Sequence, residues 1–204
     1  MLTATLSFLL AALALTGSPG PNTLSMAAVG ASFGRLRGIE YMVGLNLGMV
    51  VVIALVGTGM AGIVLAAPGL APIVTALAAA YFLYLAYRIA TAPPLKAATP
   101  DDNATPTKPA PRWYEGFGLS LVNPKAYASM AALFSGHVLI DGNQLTDGLW
   151  KAGLLITTII VVNTAWLSVG AAMTSALQDP RTSRMVNIAF AILLLLSVAY
   201  AILG

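Results

Sequence analysis

Four stretches of this chain contain no charged side chain, and each is long enough to cross a lipid bilayer. They are residues 1–34, 41–87, 152–178 and 185–204. A membrane-spanning helix needs about 20 apolar residues, because each residue rises about 1.5 Å and the hydrocarbon core is about 30 Å thick. The second stretch is twice that length and contains the turn signal Ala67-Pro68-Gly69-Leu70-Ala71-Pro72, so it predicts two helices.

A fifth apolar stretch, from about Tyr114 to Ile140, carries Glu115 at its start, Lys125 inside it and His137 near its end. We interpret it as another span. The alternative is a re-entrant or interfacial helix, because a charge within the bilayer is costly. The hydrophobic pattern therefore predicts an all-α integral membrane protein with six helices, at residues 2–34, 39–66, 70–90, 114–139, 150–176 and 185–203.

Proline motifs interrupt the first and fourth predicted helices near their middles. Gly17-Ser18-Pro19-Gly20-Pro21-Asn22 lies in the first helix, and Asn123-Pro124-Lys125 lies in the fourth. Proline removes a backbone donor and clashes with the preceding helical turn. In lipid, the freed backbone groups are tolerated where they are buried in protein or line a cavity. The motifs therefore predict two broken helices beside a cavity; the alternative is that the prolines only kink two packed helices.

The spacing of the two breaks predicts an inverted repeat. Pro21 and Pro124 stand 103 residues apart, and each belongs to the first helix of a set of three. Because three crossings are an odd number, the second set enters the membrane from the opposite face, as in many secondary transporters. We expect one three-helix repeat at 1–90 and a second at 113–204. The linker between them, 91–112, holds half of the twelve prolines, which is typical of an extended segment.

Charge is scarce, and its placement predicts the orientation. Ten Lys or Arg and seven Asp or Glu make 8% of the chain charged, against 58% hydrophobic. Soluble domains carry about 25% charged residues, which excludes a soluble globular enzyme. The basic residues fall mainly in alternate connections, at positions 35–37, 88–112 and 181–184. Since Lys and Arg mark cytoplasmic loops, we expect a multi-pass protein of the cytoplasmic membrane with both termini outside.

Several kinds of chemistry are disfavoured. The chain has no Cys and a single His, so no metal site and no cofactor is expected. The scattered basic residues form no stripe for nucleic acid. No Ser/His/Asp set and no pair of acids lies inside a predicted span, so we do not expect an enzyme.

The broken helices supply candidate binding groups for a zwitterion. A helix that stops and restarts presents unpaired carbonyls on one side of the break and unpaired amides on the other. In the first break we expect free carbonyls at 15–17 and free amides at 22–24. Lys125 lies deep in the fourth span, where a lysine costs about 2.5–3.5 kcal/mol, so it should face a cavity or a partner. The alternative is that Lys125 snorkels to the interface.

Asn46 and Asn163 lie in matching helices of the two repeats, and each either lines the path or forms an interhelical hydrogen bond. The candidate substrate-binding residues are therefore Gly17, Ser18, Pro19, Gly20, Pro21, Asn22, Thr23, Asn46, Asn123, Pro124, Lys125 and Asn163.

The sequence resembles the LysE/RhtB family of amino-acid exporters. The residues that carry the resemblance are Ser18-Pro19-Gly20-Pro21-Asn22-Thr23, the small residues from Gly30 to Gly34, Arg35, Gly38, Gly44 to Gly48, Gly116-Phe117 and Asn123-Pro124-Lys125-Ala126. The resemblance implies an inner-membrane secondary active transporter that exports amino acids by alternating access. The chain departs from the family pattern at Met49, where many members carry an acid.

The departure at Met49 favours small neutral or zwitterionic substrates over strongly cationic ones, for which a buried acid would be expected. A proton as the coupling ion and a homodimer as the assembly stay open, since no residue decides either. The alternative function is an uncoupled, channel-like or lipid-handling membrane protein.

Overall fold

The computed structural model describes residues 2–65, 70–91, 110–173 and 179–203. Within these ranges the chain forms eight α-helices and no strand, which confirms the predicted all-α class there. The helices are α1 Leu2–Gly17, α2 Pro21–Gly57, α3 Met60–Leu65, α4 Leu70–Ala90, α5 Trp113–Val122, α6 Pro124–Gly136, α7 Gln144–Ala172 and α8 Pro180–Leu203. The turn residues 67–69 and most of the predicted linker, 92–109, lie outside the described residues.

Two helices begin with the same local chemistry, a proline in the first turn after an extended residue. Pro21 opens α2 after Gly20, and Pro124 opens α6 after Asn123. The side chain of Asn123 accepts a hydrogen bond from the Lys125 backbone N–H, which caps α6. Proline suits a first turn because its missing N–H would have no helical partner there. The predicted fourth span, 114–139, is thus divided into α5 and α6.

Helix α2 spans 37 residues and consists of two helical segments, 21–33 and 35–57, separated at Gly34. Gly34 has φ 77° and ψ 170°, a left-handed value of φ that glycine adopts without steric cost. The predicted first helix ends at this residue. We expected a connection at 35–38 and a new helix from 39; a second helical segment does follow Gly34, but it begins four residues earlier, because helical geometry resumes at Arg35.

Other helix boundaries differ from the predicted ones because polar first turns hide a helix start. We expected α7 from 150, but it begins at Gln144, where the Asn143 side chain accepts from the Thr146 N–H at 3.0 Å. We expected α8 from 185, but it begins at Pro180. There the Thr182 N–H and hydroxyl donate to the Asp179 carboxylate and lower its pKa.

The predicted second helix, 39–66, also ends early. It stops at Gly57, and a turn through Thr58 and Gly59 leads into the short α3. Gly59 has φ 75°, so the chain turns there at a position that favours glycine.

Helix α2 is the centre of the packing, with α7 and α5 against it; α4 packs on α8 and α5, and α1 packs on α7 and α6. Glycines permit the closest approaches. Gly170 of α7 lies against the backbone of Ala27, and Gly44 of α2 lies against the backbone of Trp113. Small residues at such positions let helix backbones approach closely in membranes.

Two of the described helices are long and apolar enough to cross a membrane by length and composition, Pro21–Gly57 and Gln144–Ala172. Large apolar side chains on these helices are exposed, among them Leu47, Ile160, Val161 and Val169. Exposed apolar side chains in a chain of this composition are suited to a lipid environment.

Candidate functional site

The two proline motifs lie against each other. The Asn123 side-chain amide N–H donates to the side-chain oxygen of Asn22 at 2.8 Å. The Asn22 side-chain N–H donates in turn to the Ser120 hydroxyl at 3.3 Å. The Ser120 hydroxyl donates in turn to the Leu45 backbone carbonyl at 2.8 Å. A hydrogen-bonded chain therefore runs from the start of α2 through the α5–α6 junction to the middle of α2.

Lys125 reaches from the first turn of α6 into the break between α1 and α2. Its ammonium donates to the Ser18 carbonyl and the Ser18 hydroxyl, each at 2.8 Å, and to the Pro19 carbonyl at 3.1 Å. The side chain is partly buried. The ammonium therefore faces protein acceptors in the helix break.

The backbone groups of the first break differ in part from the predicted set. The Gly17 carbonyl accepts from the Trp166 indole at 3.2 Å, and the Leu15 carbonyl accepts from the Ser18 hydroxyl at 3.0 Å. The Leu24 amide donates to the Gly20 carbonyl at 2.8 Å. Leu15, Gly17 and Leu24 were therefore wrong as free groups, because bonds within the break satisfy Leu15 and Leu24 and Trp166 of α7 satisfies Gly17.

Thr23 closes the break from the α2 side. Its hydroxyl oxygen accepts from the Gly20 N–H at 2.9 Å, and the hydroxyl lies 3.2 Å from the Ser18 carbonyl oxygen. Thr23 is buried. It therefore holds Gly20 in place directly before the first turn of α2.

Asn46 and Asn163 form a direct bond between helices α2 and α7. The Asn163 side-chain N–H donates to the side-chain oxygen of Asn46 at 2.7 Å, and Asn163 is buried. Of the two predicted roles, the interhelical bond is the one that Asn46 has here. Asn163 forms the same bond and also borders a cavity.

That cavity has a volume of about 40 Å³ and lies between the breaks and α7. Of the predicted site residues, its wall contains Gly20, Pro21, Asn22, Thr23, Asn123, Lys125 and Asn163. The other five predicted residues lie outside the wall. Ser18 and Pro19 bind the Lys125 ammonium, and Pro124 opens α6. Gly17 accepts a hydrogen bond from Trp166, and Asn46 accepts one from Asn163. The structure thus brings the predicted residues to one region, seven of them to one surface.

The sequence interpretation missed the rest of the wall, namely Leu15, Thr16, Met49, Ala126, Ser129, Met130, Ile159 and Val162. Three of them, Met49, Ser129 and Ile159, follow helical spacing from a predicted residue on the same helix. Ser129 stands four residues after Lys125, and Ile159 stands four residues before Asn163. Ser129 therefore shares a helix face with Lys125, and Ile159 shares one with Asn163. That periodicity is the signal that would have found them.

The composition of the wall defines what it can bind. Amide, hydroxyl and ammonium groups lie beside apolar side chains, and none of the described residues in this wall is an acid. Small-molecule pockets typically measure about 300–1,000 Å³, far more than this cavity. An amino acid therefore fits only after the wall moves apart.

A second cavity, of about 1360 Å³, lies where the end of α2, the end of α6 and the start of α7 meet. Asp147 and Lys151 are part of its wall and form a salt bridge of 2.6 Å. Asp147 also accepts from the backbone N–H groups of Leu139 and Ile140, at 2.7 and 2.9 Å. Both charged residues are buried, and the sequence interpretation had placed Asp147 in a loop.

Among the described residues, no group of three or more His, Cys, Asp or Glu is placed to hold a metal ion. The polar groups of the central cavity are amides, hydroxyls and one ammonium. This set of groups suits an organic zwitterion better than a cation.

Comparison with known proteins matches residues 13–203 to the family described as LysE type translocator. A cysteine/O-acetylserine efflux protein of Salmonella choleraesuis (strain SC-B67) is 30% identical over 180 residues, which is 87% of this chain and 86% of the relative. The protein of the same name from Salmonella typhimurium (strain LT2) has the same identity and coverage. One from Escherichia coli O1:K1 is 26% identical over the same shares. No solved structure matches the chain.

Proposed function

This chain belongs to the LysE type translocator family, and from that membership we propose that it is a secondary active transporter. It exports small neutral or zwitterionic amino acids across the cytoplasmic membrane by alternating access. The relatives that it resembles are named as efflux proteins for cysteine and O-acetylserine, both small amino acids without a cationic side chain. Membership in a family of translocators is also consistent with a protein that is not an enzyme.

The proposed membrane architecture has six spans in two inverted repeats, 1–90 and 113–204, joined by the linker 91–112. In this arrangement α1 with the first part of α2 forms one broken span, and α5 with α6 forms the other. Helices broken at the midplane, with their ends aimed at the substrate, are a recurring device of secondary transporters. From the basic residues at 35–37 and 181–184 we propose that these positions face the cytoplasm and that both termini lie outside.

The observation that carries the proposal is the meeting of the two breaks at a polar cavity. Asn22 and Asn123 bond to each other at 2.8 Å, and Lys125 crosses from one break to the other. Residues about 100 positions apart thus share one small binding surface in the chain interior. We propose that the Asn22, Asn123 and Asn163 amides and Lys125 orient the poles of the zwitterion, while Met49, Met130 and Ile159 contact its side chain.

The small volume of the cavity supports alternating access, because the wall must move apart to admit an amino acid. In a two-repeat transporter, rocking of one half against the other opens the central site to one side at a time. The hydrogen bonds between the breaks join the halves in the state described here. Opening therefore requires these bonds to break or to be replaced by bonds to the substrate.

Efflux from proteoliposomes tests the proposal. Purified protein is reconstituted with a labelled small neutral amino acid inside, and Asn22→Ala, Pro21→Ala and Lys125→Ala are compared with wild type. Thr157→Ala is the matched control, because the Thr157 side chain is exposed on α7 and its hydroxyl bonds within its own helix. We expect the three site variants to lower efflux about tenfold or more, corresponding to at least about 1.4 kcal/mol each. Unaltered efflux in all three would reject the site.

The same assay separates the transporter from the uncoupled alternative. A coupled transporter saturates with substrate and responds to an imposed pH gradient. Flux that rises linearly with substrate and ignores the gradient would favour a channel-like or lipid-handling protein.

A further inference from the structure

The Lys125 ammonium is fully coordinated by the broken first helix. An ammonium has three N–H donors, and the three acceptors within 3.1 Å are the Ser18 carbonyl, the Ser18 hydroxyl and the Pro19 carbonyl. Each donor therefore has a partner of its own. The C-terminal end of a helix also carries partial negative charge, which favours a cation at this position.

The path of the Lys125 side chain depends on the absence of a side chain at residue 20. A β-carbon on Gly20 would lie 2.7 Å from Lys125 Nζ and 2.8 Å from its Cδ. The break thus contains a slot that fits a primary ammonium on an alkyl stem. No acidic residue among those described in the adjoining cavity wall competes for that ammonium.

We propose that this acceptor set is the site for the primary ammonium of the transported amino acid, and that Lys125 occupies it when substrate is absent. The proposal rests on the function proposed above and specifies its ammonium pole. The substrate ammonium presents the same three N–H donors, so it replaces the Lys125 ammonium bond for bond. The displaced lysine then lies beside the bound substrate as a partner for its carboxylate.

This exchange restricts the substrate. A zwitterion adds no net charge to a site that holds one lysine, whereas a cationic side chain adds a second positive charge with no described acid in the wall to balance it. An amino acid whose nitrogen is acylated lacks the ammonium and leaves the three acceptors without a cation. The site therefore requires a free amine and disfavours a cationic side chain.

Thermal unfolding of detergent-purified protein tests the ammonium site without any transport. Lys125→Met removes the resident ammonium and keeps an unbranched side chain of similar length. We expect ethylammonium chloride to raise the Tm of this variant by about 2 °C or more near saturation and to leave wild type unchanged. Tetramethylammonium chloride is the matched control, because it has the same charge and no N–H donor. Adding Ser18→Ala to Lys125→Met should reduce the ethylammonium effect.

Transport by wild type supplies a test that does not depend on a variant folding. We expect norleucine to leave proteoliposomes at least about tenfold faster than N-acetylnorleucine and than lysine, which differ from it by an acyl group and a side-chain charge. Equal export of norleucine and N-acetylnorleucine would overturn the inference, as would an equal response of Lys125→Met to ethylammonium and tetramethylammonium. If wild type exports no amino acid, the proposed function fails, and the unfolding experiment still decides whether the ammonium site exists.

Discussion

At the scale of single residues, the site depends on polar side chains that form hydrogen bonds with one another and with the nearby backbone. Asn123 caps α6 with its oxygen and binds Asn22 with its nitrogen, so one amide serves the backbone and the contact between the breaks. Lys125 places its ammonium on the Ser18 and Pro19 carbonyls. Since unpaired polar groups are expensive in a membrane protein interior, these bonds stabilise the polar site inside the helix bundle.

The first prediction concerns Gly20. In Gly20→Ala the new β-carbon would lie 2.7 Å from Lys125 Nζ, so the flexible end of the lysine must leave its acceptors. Gly20 has extended backbone angles that alanine also adopts, so the variant should fold. We expect amino-acid efflux to fall about tenfold with little change in Tm.

The control for this variant is Gly62→Ala, because a β-carbon on Gly62 of α3 meets nothing within 4 Å. Its efflux should stay close to that of wild type. Efflux of Gly20→Ala equal to that of this control would show that the position of Lys125 does not matter.

At the scale of helices, close packing around α2 fixes where the breaks lie. Gly30 of α2 lies against the backbone of Leu167, and Gly170 of α7 lies against the backbone of Ala27. The two glycines form a reciprocal contact that draws the first segment of α2 and the end of α7 together. A bond of 3.2 Å from Ser32 to Asn187 adds α8 to the same end of the bundle.

The second prediction tests this helix contact. A β-carbon on Gly170 would collide with the Ala27 carbonyl oxygen and lie 2.7 Å from its carbonyl carbon, and backbone atoms cannot move aside cheaply. Overpacking of this kind costs about 1–3 kcal/mol, so Gly170→Ala should lower Tm by several degrees. Gly153→Ala on the same helix is the control, since nothing lies within 4 Å of its added carbon. Equal Tm values for the two variants would contradict the packing argument.

The third prediction concerns the buried pair Asp147 and Lys151, which joins α7 to the end of α6. Asp147→Asn keeps an oxygen for the Leu139 and Ile140 amides but leaves the Lys151 ammonium without its counter-ion. Removing one charge of a buried ion pair lowers the free energy of unfolding by about 3–5 kcal/mol, whereas replacing both charged residues lowers it far less. We therefore expect Asp147→Asn to lower Tm strongly and Asp147→Asn with Lys151→Met to recover much of the loss.

Asp141→Asn is the control for charge, because Asp141 lies in the same cavity wall and is exposed. Its Tm should remain near that of wild type. If the double variant loses as much stability as the sum of both single variants, the two side chains are not energetically coupled.

At the scale of the whole molecule, the exposed apolar side chains, the membership in a translocator family and the scarcity of charge agree with a membrane protein. The small cavity at the breaks and the larger one at the start of α7 lie at different levels of the bundle, since Asn163 and Asp147 are 16 residues apart on one helix. That separation corresponds to about 24 Å along a helix axis. In the proposed orientation the larger cavity faces outside.

The fourth prediction tests this orientation. The chain has no Cys, so each introduced cysteine is the only thiol in the protein. Leu36 and Leu145 are 85% and 72% exposed, and the proposed topology places them on opposite sides of the membrane. In intact cells, a membrane-impermeant maleimide should label Leu145→Cys and leave Leu36→Cys unlabelled until the cells are opened. The reverse pattern would invert the topology.

The sequence by itself determined the class of the protein and the residues worth examining. Apolar stretches of about 20 residues or more predicted helices, because a helix of that length crosses the bilayer with its backbone groups bonded internally. Proline fixed local geometry, since Pro21 and Pro124 occupy the first turns of α2 and α6. Helix starts with polar first turns, at Gln144 and Pro180, escaped prediction because hydropathy measures apolarity and not helicity.

Only the tertiary structure decided which partners these residues have. No local pattern tells that Asn22 meets Asn123 or that Lys125 binds Ser18 and Pro19. The spacing of Asp147 and Lys151 suits a pair on one helix, but their burial is tertiary. Three of these contacts join positions 101 to 107 residues apart, and they form because α5 and α6 pack against α2. Helix propensity and hydropathy act over a few turns, whereas the pairing of a charge depends on the whole arrangement of helices around it.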